Sequence, residues 1–241
     1  MKNKESNRKD VMNRLFAPLM FCLCLGWLTG CYTADSGNYA TDQIVFDFGV
    51  EVSETVATAT ASFWTYRAIP GTPVYLVLTH FDAIMVNGIT MSRKRGPIAD
   101  YYSVTIPPAE QYTFTFTRGD GTSYDSTVDT IPPLVITSPE AETWISRAAD
   151  LDVAWTNPVE DGVVTVYVPR GEYVNGFLQQ VVDSGTYTIP AGTFLLDASA
   201  PTASFEAMLY VSRKKRENLG PELAGAIEVR TGDSVRFITT E

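Results

Sequence analysis

Gln111-Tyr112-Thr113-Phe114-Thr115-Phe116-Thr117-Arg118 decides the fold. Tyr112, Phe114 and Phe116 alternate strictly with Thr113, Thr115 and Thr117. A period of two with one aromatic face is a β-strand half-buried against a core. Gly119-Asp120-Gly121 follows and supplies the positive-φ positions of a hairpin turn. The alternation recurs upstream in Thr55–Tyr66 and downstream in Leu151–Thr156, with Gly and Pro punctuating at short intervals. No long helical pattern runs through the chain, and its best helical stretch is short, at Pro221–Ala226. The composition therefore predicts an all-β protein.

The prolines of Ile131-Pro132-Pro133-Leu134 donate no ladder bonds and favour an extended backbone, so residues 132–133 read as a linker. They separate a first β-sandwich over 43–131 from a second over 134–241, both of ordinary domain size. In the second region Ser204–Val211, Ala226–Arg230 and Ser234–Thr239 read as separate strands. Residues 31–42, with Ser36, Gly37 and Asn38, read as a flexible tether.

Residues 1–30 have the form of a secretory signal. Lys2, Lys4, Arg8, Lys9 and Arg14 precede the apolar run Leu15–Leu28, and Leu28-Thr29-Gly30-Cys31 closes it as a lipobox. The run is shorter than a membrane span needs and contains Pro18. Cleavage between Gly30 and Cys31 would leave Cys31 as the lipidated first residue, a membrane partner through its acyl chains. Tyr32 in place of an aspartate points to the outer rather than the inner membrane. Cys22 and Cys24 leave with the signal, so the mature chain has no cysteine for a disulfide, a thiolate metal site or a nucleophile.

Removing residues 1–30, with five of the 18 basic and two of the 28 acidic residues, deepens the net charge from −10 to −13. That argues against nucleic acid as a partner, because phosphates need a basic footprint. His80 is the sole histidine, and no G-x-S-x-G elbow accompanies it. No catalytic residue, metal or cofactor is assigned. Arg118-Gly119-Asp120 spells an adhesion tripeptide but is also what a tight turn needs. Asp120, Asp125 and Asp129 lack the spacing of a calcium loop.

Ile136-Thr137-Ser138-Pro139 followed by Leu151-Asp152-Val153-Ala154-Trp155-Thr156 resembles the opening of immunoglobulin-like and fibronectin type III-like domains, in which an early-strand Trp plugs the core. With Asp183-Ser184-Gly185-Thr186-Tyr187-Thr188-Ile189-Pro190-Ala191-Gly192, the mature chain is similar to a group of two-domain proteobacterial lipoproteins. The resemblance implies two tandem immunoglobulin-like sandwiches behind a lipid anchor. It implies no activity.

Two surfaces are candidates for binding. The basic runs Arg93-Lys94-Arg95 and Arg213-Lys214-Lys215-Arg216 read as anion-binding loops on an acidic protein. In Thr55–Tyr66, Trp64 and Tyr66 share a face with Thr58, Thr60 and Ser62. The preferred reading is a β-bulge near Ser62 that turns both rings into the core. The alternative presents them as a ligand-binding surface beside a row of hydroxyls. The expected function is a non-enzymatic envelope lipoprotein that binds a protein partner. A glycan- or cell-wall-binding module, helped by Tyr101 or Tyr102, and a hydrolase with a carboxylate pair are the alternatives.

Overall fold

The computed structural model describes residues 33–66, 73–79, 81–171, 175–194 and 204–240. Its strands are β1 (Thr33–Asp35), β2 (Val45–Val52), β3 (Ala57–Tyr66), β4 (Pro73–Val77), β5 (Ala83–Val86), β6 (Ile89–Thr90), β7 (Ser92–Lys94), β8 (Tyr101–Ile106), β9 (Gln111–Thr117) and β10 (Ser123–Asp129). Then come β11 (Ile136–Ser138), β12 (Trp144–Ser146), β13 (Leu151–Trp155), β14 (Val163–Val168), β15 (Phe177–Val182), β16 (Thr186–Ile189), β17 (Phe205–Asn218) and β18 (Ala224–Thr240). The described residues form no α-helix. Pro221–Ala226, expected as a short helix, is a hairpin turn and the start of β18, closed by the Leu223 amide donating to Gly220 O at 3.1 Å.

One sheet runs through the molecule in the order β1-β4-β3-β2-β18-β17-β14-β15. β8 and β7 extend from β3, and β12 pairs with β18. A four-stranded sheet, β10-β9-β5-β6, packs over one part and a three-stranded sheet, β11-β13-β16, over another. The fold is thus all-β, with two sandwich cores that share one sheet.

The aromatic face of β9 builds the first core. Tyr112, Phe114 and Phe116 are fully buried. Phe114 stacks on Phe48 with centroids 4.6 Å apart, and Phe116 meets Phe46 edge-on at 5.0 Å. Such pairs contribute about 0.5–1.5 kcal/mol each beyond their buried area. Ala57, Ala59 and Ala61 of β3 face the same core, and their small side chains leave room for the rings. The second core collects Leu151, Val153 and Trp155 of β13 with Val164, Val166, Leu209, Val211 and Phe237.

Ile131 lies in the first core and Leu134 in the second. The residues from 134 onward do not form a self-contained second sandwich, however. The β17–β18 hairpin pairs without interruption from Phe205↔Thr239 to Asn218↔Ala226, and residues 224–231 of β18 pair in parallel with β2. Ile227 and Val229 therefore fill the first core, while Leu209, Val211 and Phe237 fill the second. All five are odd-numbered, so one face of the hairpin lines both cores, as strand alternation requires.

Residues 33–42, expected as a flexible tether, are docked. β1 pairs in parallel with β4. Ser36 is fully buried; its Oγ donates to Asp82 Oδ2 at 2.6 Å and accepts the Thr79 amide at 3.1 Å. Asp82 Oδ1 accepts the Gly119 amide, and Arg118 donates to Tyr39 O at 2.9 Å while lying 3.1 Å from Asp82. These polar contacts hold the segment where few apolar side chains could.

Candidate functional site

The even-numbered residues of β17 and β18 form the opposite, outer face of the shared sheet. Cross-strand partners share a face, so the register gives its layout in rows. Val45, Trp64, Tyr75 and Thr33 form one row, and Asp47 and Ser62 the next. Arg216, Glu228, Gly49, Thr60, Ser103 and Ser92 follow, then Lys214, Arg230, Glu51, Thr58 and Thr105. Beyond them lie Gln180, Thr165, Ser212 and Gly232, and finally Leu178, Tyr167, Tyr210 and Ser234. Along β18 the face runs from Ala224 to Ser234, about 33 Å at strand rise.

The β2–β3 register is continuous from Val45↔Trp64 to Val52↔Ala57. The bulge expected near Ser62 is absent, and the alternation simply continues. Phe63 points into the core, Trp64 is half-buried on the outer face, and Tyr66 is 64% exposed at the strand end. Tyr101 is half-exposed. Tyr102 is buried instead, its hydroxyl accepting the Leu78 amide at 2.8 Å.

The middle rows form a groove of about 390 Å³ lined by Asp47, Glu51, Thr58, Thr60, Ser62 and Glu228, with Lys214, Arg216 and Arg230. Gly49 forms a notch in its floor. A Cβ there would sit 2.8 Å from Thr60 Oγ1, which donates to Gly49 O at 3.4 Å. The carboxylates differ. Burial raises Asp47 above the ordinary carboxylate value, against the charge of Arg216 and with that of Glu228. Burial also pushes Glu228 up, but the hydrogen bond and charge of Arg230, with Lys214, more than offset it and leave Glu228 lowered. A face of aromatic rings, hydroxyls and mixed charges offers stacking, donors and acceptors together, which matches the surface of a sugar ring.

The two basic runs are not loops. Ser92–Lys94 is the edge strand β7, and Arg95 follows it; Arg93 pairs with Asp100, while Lys94 and Arg95 have no ion pair among the described residues. Arg213–Arg216 lies within β17. Arg213 is buried, 3.2 Å from Asp183, and its guanidinium donates to Asn157 O and Thr156 O. Lys214 and Arg216 pair with Glu228, and Lys215 with Glu217. Strand alternation buries Arg213, and neighbouring carboxylates hold the other cations of this run.

Arg118-Gly119-Asp120 belongs to the β9–β10 turn, where Asp120 Oδ1 accepts the Thr122 amide. Asp125 accepts from Thr115 and Asp129 from Gln111, both across the β9–β10 pair. Among the described residues no three His, Cys, Asp or Glu side chains gather to hold a metal ion. Gly30, Cys31 and His80 lie outside the described residues. Sequence reasoning missed Tyr75, Tyr167 and Tyr210. Their alternation was visible, but which face was open depends on strands distant in sequence.

The fold and site define a β-sandwich protein with one open, polar-aromatic sheet face. No protein-family model and no curated protein matches the sequence. Among solved structures it is similar to the fibronectin(III)-like modules of Clostridium thermocellum CbhA, at 15% identity over 81% of this chain and 90% of that one, with a TM-score of 0.25. It is also similar to SGBP-B of the Bacteroides ovatus mixed-linkage glucan utilization locus, solved in complex with a mixed-linkage heptasaccharide. There the identity is 11% over 82% of this chain and 61% of that one, with a TM-score of 0.23. At these TM-scores the likenesses carry no functional weight.

Proposed function

We propose that this chain is a lipid-anchored, non-catalytic envelope protein that binds a glycan along the outer face of its shared sheet. The observation that carries the reading is the placement of Trp64 and Tyr75 in one row, beside the hydroxyls of Ser62, Thr60 and Thr58 and the Gly49 notch. Rings stack on the apolar faces of sugars, and the hydroxyl and charged rows pair with their hydroxyls. Calorimetric titration with a panel of soluble envelope polysaccharides tests it. Binding to at least one, weakened tenfold or more (about 1.4 kcal/mol) by Trp64→Ala, is expected. No binding across the panel, or binding indifferent to Trp64→Ala, refutes it. Hydrolysis of the bound glycan, lost in Glu228→Gln, would reassign the face to a hydrolase.

A second reading, a protein partner, is favoured by the open edge of the same sheet. Leu178 and Val182 of β15 are 67% and 70% exposed, and the strand has no neighbour on its far side among the described residues. An exposed apolar edge invites strand addition by another chain. Cross-linking from β15 to one protein, without glycan affinity, would select it. The anchor itself rests on the lipobox. Cys31→Ser is expected to accumulate unacylated precursor, and normal processing of that variant would remove the anchor from the proposal.

A further inference from the structure

We infer that the sheet edge formed by β1 and β7 is a membrane-contact surface that lies against anionic lipid headgroups. The inference rests on the lipid-anchor reading for its geometry. β1 begins at Thr33, two residues after Cys31, and two residues span at most about 7 Å. With β1 paired to β4, no slack tether remains to lift the fold off the bilayer. An acylated Cys31 therefore brings this edge to the headgroups.

What the edge presents suits that position. β2 pairs along one side of β3 from Ala57 to Trp64, so β4 and β8 both occupy its other side. β1, outside β4, and β7, outside β8, then share one lateral edge of the sheet. Arg93, Lys94 and Arg95 are all exposed there on a strongly acidic protein, and among the described residues only Arg93 is paired, with Asp100. Ile98, in the connection from β7 to β8, is 62% exposed. Phe81 is 92% exposed and held at φ 71°. Its neighbour Asp82 bonds Ser36, the residue that follows β1, so Phe81 sits beside the end of that strand. A left-handed backbone is uncommon for a bulky residue, and a ring so exposed gains no burial within the fold to offset it. Cations beside exposed apolar side chains are the composition that engages an anionic leaflet and the acyl boundary beneath it.

The mature chain from residue 31 contains every described residue, and Cys31 is its only cysteine. Coupling that thiol to a maleimide lipid anchors the protein whether or not cells acylate it. Hydrogen exchange is then measured on phosphatidylglycerol–phosphatidylethanolamine vesicles, on phosphatidylcholine vesicles and in solution. Exchange at Phe81–Asp82 and Ser92–Ile98 is expected to slow several-fold on the anionic vesicles alone. Both Phe81→Ser and the combined Arg93→Glu, Lys94→Glu and Arg95→Glu variant should abolish the slowing, with second-core amides as the control for folding. Equal exchange on anionic vesicles and in solution, equal slowing on both vesicle types, or slowing that survives the charge reversal each overturns the inference. The mass of the cell-made protein judges acylation separately, so failure of the anchor reading remains distinguishable from failure of the contact surface.

Discussion

The indole N–H of Trp155 donates to Asp183 Oδ1 at 2.7 Å, and Oδ2 of the same carboxylate accepts the Val159 amide at 3.1 Å. Arg213 Nε lies 3.2 Å from Oδ2 without the alignment of a hydrogen bond, so its attraction there is chiefly Coulombic. Burial lowers the Arg213 pKa against the opposing charge of Asp183, the mark of a desolvated cation. Asp183→Ala would strand that guanidinium inside the fold and is expected to cost about 3–5 kcal/mol by urea unfolding. Trp155→Phe removes one donor and leaves the carboxylate its other partners, so about 1 kcal/mol is expected beyond the packing change. A loss under 1 kcal/mol for Asp183→Ala would mean that the network does not hold the second core. Trp155 was legible as a core residue because its neighbours alternate. Its partner was not, because Asp183 lies 28 residues away and nothing local marks it. Asp47 gives a pH prediction. Its folded-state pKa is raised, so the fold binds its proton more tightly than the unfolded chain does. Stability is therefore lost as pH rises from the ordinary carboxylate value through the raised one, and Asp47→Asn removes that loss. The Tm gain of Asp47→Asn over the parent should be small in acid, grow through this window and then level off. A gain largest in acid would reverse the sign and refute the assignment.

The β17–β18 hairpin is the element on which both cores depend, and Gly225 sets its entry. Gly225 has φ +136°, and a Cβ there would collide with the Phe46 carbonyl oxygen. Only glycine permits β18 to lie in parallel beside β2 at this point. Gly225→Ala is expected to destabilise the protein by several kcal/mol, read by chemical denaturation, because both the dihedral and the contact are forbidden. A near-neutral result would show that β18 can enter by another path. Two features of this element misled the sequence reading. Thr231-Gly232-Asp233 looks like a turn between separate strands, yet the ladder runs straight through it. Gly232 serves close approach there: a Cβ would lie 2.9 Å from both Ser212 Cβ and Val211 O. Thr231 and Asp233, polar residues on the inward face, also mimic a loop. Thr231 Oγ1 accepts the Leu134 amide at 3.1 Å and Asp233 Oδ2 the Ile136 amide at 2.9 Å, so both fasten the segment that follows the Pro132-Pro133 linker to the hairpin. Local pattern shows a polar break; it does not show that the polar groups have partners 97 residues away.

At the scale of the molecule, the open question is whether the two cores unfold together. The all-β class, two apolar clusters and the change of core between Ile131 and Leu134 follow from alternation and proline placement, which are local signals. The shared sheet does not follow, because it rests on parallel pairing of β18 with β2, some 180 residues apart in the chain (Ala224 with Val45). That pairing has a thermodynamic consequence. Tandem domains joined by a linker alone would melt separately, each with its own midpoint. Here, losing the first core strips β2 from β18 and exposes Ile227 and Val229, which destabilises the strand that also carries Phe237 in the second core. Coupling through one hairpin predicts a single calorimetric transition that coincides with loss of tryptophan fluorescence. Val229→Ala and Phe237→Ala should each shift that whole transition, the latter by about 3–5 kcal/mol and the former by less, as its smaller side chain dictates. If instead two transitions appear and each variant moves only one, the hairpin bridges the cores without coupling them, and the open outer face that crosses it would consist of two independently mobile halves.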